Sequence, residues 1–484
     1  MEGNTVFSKD YRFFFAILTI LTANACWAGE TVPLLPKMKT PQSIQRTHYV
    51  DLPSINPPIP IPVLAPMVSA ETVPNVAQPQ EITINTSSDS PTAWTFDEAI
   101  TATLTADPVL HIGKTEIIQA KAELLASSQI PNPTLAIEGG SIPFKREGAK
   151  MESDFTVQMG MPLDWFVFAK RAAEINSARW GVQQTQAEYA DLVRLRITET
   201  ATAFYDVLEA KALLSISRQD LAILTRVEAV TQRAVEVGGI PSVELDRIRL
   251  ELFKHRQELL EMEAELNIAK AKLWALLGRT DRDPNFDIQG SLDAPLTAKP
   301  YPIEEAFDLA RQNRPDIRAL RIQVHKAQAD REVERRNAFP EVALSGGYVK
   351  EYLEGGRESG WGIGLSMSVP LFDRNQGGRA RAQAALSQSN YELQAGVLEL
   401  RAEVEEADQH FRTAHQKAAN FAQEGVRLAI QVRNSIMQSY EVGGSPLIDV
   451  LDAERTYRET YRTYISSRAD YWRAMYVYNS VVGL

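Results

Sequence analysis

Several residue types are scarce in this 484-residue sequence, and each scarcity excludes a class of protein. There is one cysteine, Cys26, so no disulfide framework can form within the chain. The 51 Lys and Arg are outnumbered by 62 Asp and Glu, which argues against a nucleic-acid partner, because binding phosphates requires excess positive charge. Beyond Leu21 no apolar run approaches the length of about 20 residues that a transmembrane helix needs. A membrane location would therefore depend on strands.

Motifs that would indicate an enzyme or a metal centre are also missing. No nucleophile motif, phosphate-binding loop or His-Glu-x-x-His pattern occurs in the sequence. Among the six histidines only His410 and His415 are close together, and a separation of five residues on a helix is poor for two metal ligands. We therefore predict no catalytic residue, no cofactor and no bound metal.

The N-terminal region has the pattern of an export signal over residues 1–28. Basic residues precede an apolar run at 13–21, and small residues follow it. Cleavage after Ala25 would leave Cys26 at the new N-terminus, where a lipid could be attached, whereas cleavage three residues later would remove it. Residues 29–94 are rich in proline and are predicted to form an extended leader.

From Thr95 onward the sequence repeats itself. Glu236-Val-Gly-Gly-Ile-Pro241 matches Glu441-Val-Gly-Gly-Ser-Pro446, and the dipeptide Asp107-Pro108 matches Arg314-Pro315. Four further landmarks recur in the same order, all at an offset of about 205 to 208 residues. The chain therefore contains two copies of one unit, at 95–290 and 291–484.

Each unit is predicted to contain a helix, two strands, a long helix, a turn and a returning helix. Apolar periodicity and the positions of Gly and Pro place these elements along the sequence. In the first unit the helices are expected at 97–129, 171–236 and 242–277 and the strands at 133–141 and 153–163. In the second unit the helices are expected at 303–337, 379–440 and 447–480 and the strands at 340–350 and 360–371.

The predicted strands have two different faces. In the last strand, for example, the large apolar residues Trp361, Ile363 and Leu365 alternate with Gly and Ser. A soluble sheet that buries one face gives the same alternation. These strands, however, have the length of about 11 residues that a tilted membrane strand needs, and they follow an export signal. Trp165 and Phe166 lie just past the end of one strand, where an interfacial aromatic belt would fall. Four strands cannot close a barrel, so two copies giving eight strands or three giving twelve must share one.

This plan resembles the TolC-like outer-membrane efflux proteins over about residues 95 to 482, because that family has two helix-hairpin-helix repeats, very long helices and Val-Gly-Gly tips. Residues 369–382 are most similar to the branch that serves heavy-metal resistance-nodulation-division (RND) exporters, the CzcC-like and CusC-like outer components. The resemblance implies a mostly α fold with a membrane β-barrel portion. It implies a homotrimer whose 12-stranded β-barrel lies in outer-membrane lipid and continues as an α-barrel across the periplasm. It also implies that a periplasmic adaptor and an inner-membrane RND pump dock at the helical tips.

The resemblance further implies roles for residues at these tips. Asp449 and Asp452 fall where the family has an acidic ring at the channel entrance, and Tyr440 matches a tyrosine that helps to latch the closed state. The family's arginine between tip and ring is Ser445 here, so the latch contacts differ. A helix N-terminal cap is the alternative role for the two aspartates. The residues implied in adaptor docking are Val237, Gly238, Gly239, Val442, Gly443 and Gly444, and the further latch candidates are Glu244 and Arg247.

We therefore predict the exit duct of a tripartite efflux system, located in the outer membrane and passively conducting heavy-metal cations to the exterior. The same duct could instead carry organic compounds or polypeptides. The alternative from another class is a soluble periplasmic coiled-coil scaffold or adaptor, against which the paired two-faced hairpins argue.

Overall fold

The structure is a computed structural model that describes residues 93–139, 155–281, 283, 285–353, 356–420, 424–441 and 443–484. The predicted export signal with Cys26, most of the Pro-rich leader and the tip residue Val442 lie outside the described residues. Among the described helices, none combines the length and the apolar character that crossing a membrane requires.

The first repeat contains five helices and two strands within the described residues. They are α1 (Phe96–Ala106), α2 (Pro108–Ser128), β1 (Thr134–Gly139), β2 (Phe155–Pro162), α3 (Asp164–Val167), α4 (Lys170–Glu236) and α5 (Ser242–Leu276). The described part of the second repeat has the same order. Its elements are α6 (Ile303–Asn313), α7 (Pro315–Arg336), β3 (Val342–Leu353), β4 (Gly356–Met367), α8 (Gln376–Asn420), α9 (Val426–Glu441) and α10 (Leu447–Val482).

Each repeat begins with two helices where the sequence predicted one. The breaks fall at Asp107 and Arg314, whose ψ angles of 119° and 127° are extended. A residue that precedes proline is pushed out of the helical region, and the proline then starts the next helix, where its missing N–H is not needed. The continuous helices predicted at 97–129 and 303–337 are therefore wrong.

The long helix α4 organises the described helices. It has 67 residues, which at about 1.5 Å per residue gives a length of roughly 100 Å. It contains no proline and one glycine, Gly181, so nothing in its sequence breaks it. The helices α2, α5, α7 and α10 all pack against it. The second predicted long helix, at 379–440, corresponds to α8 and α9, and residues 421–423 between them lie outside the described part.

Four hydrophobic clusters hold the described helices together, and two of them are the largest. The main core lies between α4 and α10, where Tyr205 stacks on Trp472 with ring centroids 5.6 Å apart and Phe204 is fully buried. A smaller tip cluster lies nearer the glycine turns; its buried members are Leu224, Val227, Ile248, Leu252, Leu447 and Val450. Both clusters combine residues from the two repeats, so packing between the repeats stabilises the middle of the helical wall and its turn end.

The irregular segment between the repeats is bound to the helices by hydrogen bonds to its backbone. The Arg468 Nε donates to the carbonyl oxygen of Leu292 at 2.9 Å, and the Lys211 Nζ donates to that of Ile288 at 3.0 Å. These side chains donate hydrogen bonds to backbone carbonyl groups that are not paired within a helix or a sheet. The segment therefore forms a fixed belt beside the main core.

The four strands form one antiparallel sheet in the order β1-β2-β3-β4. The hairpins of the two repeats join through β2 and β3, where Phe155 lies opposite Lys350 and Pro162 lies opposite Ala343. The strand β4 ends at Met367, four residues before the predicted end. Its partner β3 begins at Val342, just after Pro340, and the last pairing beyond the strand is the Ser368 N–H that donates to the carbonyl oxygen of Glu341 at 3.0 Å, so no ladder partner remains for residues up to Leu371.

Candidate functional site

One face of the sheet is apolar and exposed. On β4 the side chains of Trp361, Ile363 and Leu365 are 85%, 87% and 71% exposed. The same face continues across the sheet to Met159 of β2 and Ile137 of β1, both of which are exposed. Contiguous apolar surface of this kind is rare on a protein in water and indicates contact with lipid or another protein.

The opposite face of the sheet is small and polar. The Gln158 Nε2 donates to the Ser345 Oγ at 2.6 Å, and the Ser345 hydroxyl donates to the carbonyl oxygen of Gly364 at 3.2 Å. At Gly347 an added Cβ would lie 2.3 Å from the carbonyl oxygen of Val157, so the strands can approach here only without a side chain. The sheet therefore separates an apolar surface from a polar one.

The sheet and the helical wall both have open sides. The outer edges of β1 and β4 pair with no strand in the described residues. The helix α5 packs on α4 with one side, and its other side exposes Val243, Leu250 and Leu260 at 58%, 58% and 59%. Unpaired backbone groups and apolar side chains at an edge are stable when another chain covers them.

The turns at the far end of the two repeats have the same geometry. Gly238 and Gly443 have φ angles of +74° and +78°, a left-handed conformation that favours glycine. Gly239 N donates to Ala234 O and Gly444 N donates to Ser439 O, both at 2.8 Å. The Val-Gly-Gly motifs therefore end α4 and α9 with equivalent helix caps. Val237 is 83% exposed.

One predicted latch residue joins the two repeats. The hydroxyl of Tyr440 on α9 lies 2.7 Å from the Thr231 Oγ1 on α4. Because the Thr231 hydroxyl donates to the carbonyl oxygen of Val227 at 2.8 Å, Tyr440 is the donor in this pair. Glu244 and Arg247 instead form an ion pair of 3.2 Å within α5, and this pair does not join α5 to another described helix.

The two predicted entrance aspartates lie near the start of α10 and are exposed. The N-cap of this helix is Pro446, which makes no side-chain hydrogen bond, so neither aspartate is the N-cap residue. Asp449 is in the first turn, where a negative charge complements the helix dipole. Neither Asp449 nor Asp452 forms an ion pair with a described residue. They line one end of a groove whose other residues include Leu428 and Val432 of α9.

A layer of buried ionisable side chains lies between the tip cluster and the main core. We did not predict this buried ionisable layer from the sequence. Asp220 on α4 and Glu454 on α10 are 1% and 2% exposed. Burial raises the pKa of Asp220 to about 6 and that of Glu454 to about 7, although nearby arginines oppose the shift. His255 on α5 contacts Arg458 on α10, and burial together with this guanidinium lowers the pKa of the imidazole. A sequence signal existed, because Asp220 lies at helical spacing between the buried Ile216 and Leu224.

A repeated helical wall with a two-faced sheet at one end and glycine turns at the other defines a subunit of a membrane channel. The family model for the Outer membrane efflux protein matches residues 114–279 and 306–475. The chain belongs to this family and is an outer-membrane efflux protein.

The chain is similar to two heavy-metal resistance proteins and to a channel of known structure. It is 27% identical to the cobalt-zinc-cadmium resistance protein CzcC of Cupriavidus metallidurans, over 80% of this chain and 90% of CzcC. It is 23% identical to the nickel-cobalt-cadmium resistance protein NccC of Alcaligenes xylosoxydans xylosoxydans, over 56% of this chain and 60% of NccC. A crystal structure of CusC matches with a TM-score of 0.68 at 18% identity, over 86% of this chain and 99% of CusC.

These similarities confirm the predicted fold class and the placement of the chain among TolC-like efflux proteins of the heavy-metal branch. They also confirm the predicted outer-membrane location and the function as an efflux channel. Membership of a channel family favours the predicted duct over a soluble periplasmic scaffold.

Proposed function

We propose that three copies of the chain form a passive exit duct for heavy-metal cations, with no enzymatic activity of its own. The observation that carries this proposal is the four-stranded sheet with one exposed apolar face and two open edges. A sheet edge in lipid leaves backbone groups unpaired at a cost of several kcal/mol each, which closure of a barrel removes. Three copies would give a barrel of twelve strands.

The helical wall supports the same assembly. The apolar side chains exposed on α5 lie at the side of the wall that no described helix covers, and a neighbouring copy would bury them. At about 25 cal/mol per Å² of apolar surface removed from water, even a few such side chains contribute several kcal/mol to each subunit contact. Closure of the sheet and closure of the helical wall would therefore occur in the same assembly step.

The glycine turns are the proposed docking surface for a periplasmic adaptor, which links the duct to an inner-membrane RND pump. Val237, Gly238, Gly239, Gly443 and Gly444 lie at the ends of the helix pairs, farthest along α4 and α9 from the strands. The exposed Val237 supplies apolar surface there. In this proposal the duct is passive and the pump supplies the energy.

The proposed entrance is lined by Asp449 and Asp452 from each copy. Three copies bring six carboxylates toward one axis, and unpaired carboxylates attract cations and repel anions. The names of CzcC and NccC connect those proteins with divalent metal resistance. These two similarities support metal cations over organic compounds or polypeptides as cargo.

The test is ion selectivity of the purified protein in planar lipid bilayers. Reversal potentials in a gradient of ZnCl2 are expected to show cation preference, and the double variant Asp449→Ala with Asp452→Ala is expected to lose most of it. The matched control is Asp246→Ala, which removes an exposed carboxylate of α5 near the other tip. Equal selectivity in the wild type and the double variant would remove the entrance assignment. Native mass spectrometry in detergent measures the number of subunits, and a count other than three would refute the proposed trimer.

A further inference from the structure

The buried ionisable layer occupies the boundary between the two hydrophobic clusters. On α4, Asp220 lies four residues after Ile216 of the main core and four residues before Leu224 of the tip cluster. On α10, Glu454 lies four residues after Val450 of the tip cluster. Movement of the tip relative to the main core would therefore act on this layer.

The two buried carboxyl groups accept no hydrogen bond. None of the four carboxylate oxygens of Asp220 and Glu454 has a hydrogen-bond partner among the described residues, and the two groups lie close enough for each to shift the pKa of the other. Two carboxylates can bond to one another only when one of them carries a proton. Two neighbouring negative charges at 1% and 2% exposure would also repel each other in a medium of low dielectric.

The basic groups that face the pair bind other partners, although the Nε of Arg462 has none among the described residues. Arg433 of α9 lies over the ring of Tyr457 at 3.9 Å, and Arg458 contacts His255 of α5. Arg462 donates to Glu258 of α5 at 3.4 Å. Arg433 and Arg458 lower the pKa values of both carboxyl groups through space, and Arg462 lowers that of Asp220, but none of the three supplies the missing hydrogen bond.

We propose that Asp220 and Glu454 form a proton-binding site that holds the tip of the duct closed. A shared proton joins α4 of the first repeat to α10 of the second. When α9 and α10 move away from α4 and α5, water reaches both carboxyl groups and the proton dissociates. This inference rests on the proposed function, because it assigns the control of the entrance to acidity.

The sign of the pH dependence follows from the raised pKa values. The packed state keeps a proton that separated carboxyl groups, with ordinary pKa values of about 4, have lost. The packed state is thus favoured at low pH and loses that advantage as the pH rises through about 6 and about 7, the pKa values of Asp220 and Glu454. His255, which Glu251 and Glu258 also face at 3.6 Å, acts in the opposite sense below its ordinary pKa of about 6.5. The response of the acid pair is therefore clearest between about pH 6.5 and 7.5.

The experiment records single-channel openings in planar bilayers across this pH range. The open-to-closed ratio of the wild type is expected to rise about fourfold for each copy between pH 6.5 and 7.5, because little of the proton linkage remains above the two pKa values of about 6 and about 7. The variant Asp220→Asn with Glu454→Gln replaces the protonated pair by two amides that bond to each other at every pH. It is expected to stay at the low ratio of the wild type in acid. The control Glu459→Gln changes an exposed carboxyl group of α10 and should keep the wild-type response.

Infrared spectroscopy separates this inference from the proposed function. The absorption of a buried protonated carboxyl group is expected in the wild type at pH 6, and is expected to be absent in Asp220→Asn with Glu454→Gln. Openings that depend on pH equally in the wild type and this variant would overturn the proposal, as would an infrared spectrum showing both groups ionised at pH 6. A wild type that forms no channels would refute the proposed duct, while the infrared measurement would still decide the proton site.

Discussion

Removal of the Tyr440 hydroxyl should make the duct open more often, and the structure sets the size of the effect. In Tyr440→Phe the 2.7 Å hydrogen bond to Thr231 is lost, while the Thr231 hydroxyl keeps its own bond to Val227. A neutral hydrogen bond of this kind contributes about 1 kcal/mol, and its loss shifts an equilibrium about fivefold. If the three copies of a trimer open together, the free energies add and the open state gains roughly a hundredfold.

Single-channel recording measures this change directly, and a double-mutant cycle tests its cause. Thr231→Val keeps the shape of the side chain and removes the acceptor, so the two substitutions combined should have the effect of one. The control Tyr391→Phe removes the hydroxyl of an exposed tyrosine on α8 and should leave the openings unchanged. Effects of Tyr440→Phe and Thr231→Val that simply add, or no change in either single variant, would show that this hydrogen bond does not latch the tip.

Three further predictions concern assembly and stability. Gly347→Val should abolish folded trimers on unheated denaturing gels, since the new Cβ would clash with β2, whereas Gly360→Val has open space and should assemble. Phe204→Ala removes a fully buried ring and should lower the free energy of unfolding by about 3–5 kcal/mol, measured by denaturant titration; a loss below about 1 kcal/mol would contradict the main-core assignment. Ile363→Arg should destabilise the sheet in lipid vesicles by about 2–4 kcal/mol, and Ser366→Arg on the opposite face should not; equal effects would refute the assignment of the lipid face.

Local rules accounted for most of the elements that could be predicted from the sequence. The Val-Gly-Gly motifs located the turns because a left-handed cap needs glycine at one position, whatever the surroundings. The breaks at Asp107 and Arg314 follow from an equally local rule, and the dipeptides that cause them were visible as landmarks of the repeat. Apolar periodicity alone did not reveal the two breaks, because the same apolar face continues across each of them.

The pairings that define the site could not be predicted in this way. Alternation places Trp361 and Ile363 on one face, but it does not say which strand pairs with β2 or which edges stay open. The contact between Asp220 and Glu454 depends on which sides of α4 and α10 meet, and surface carboxylates at the same spacing are common on solvated helices. The bond between Tyr440 and Thr231 joins residues 209 apart, and no local pattern specifies it.

The pairing of β2 with β3 also affects when the apolar face of the sheet can be completed during folding. Gln158 and Ser345, which bond across these strands, are separated by 187 residues that include both α4 and α5. A contact between residues so far apart in sequence forms slowly, because the intervening chain must first be brought together. The lipid-facing surface is therefore incomplete until the helices between the two hairpins have been made and packed. Until the second hairpin has been made, the nascent chain thus carries only the part of this apolar surface that β1 and β2 provide.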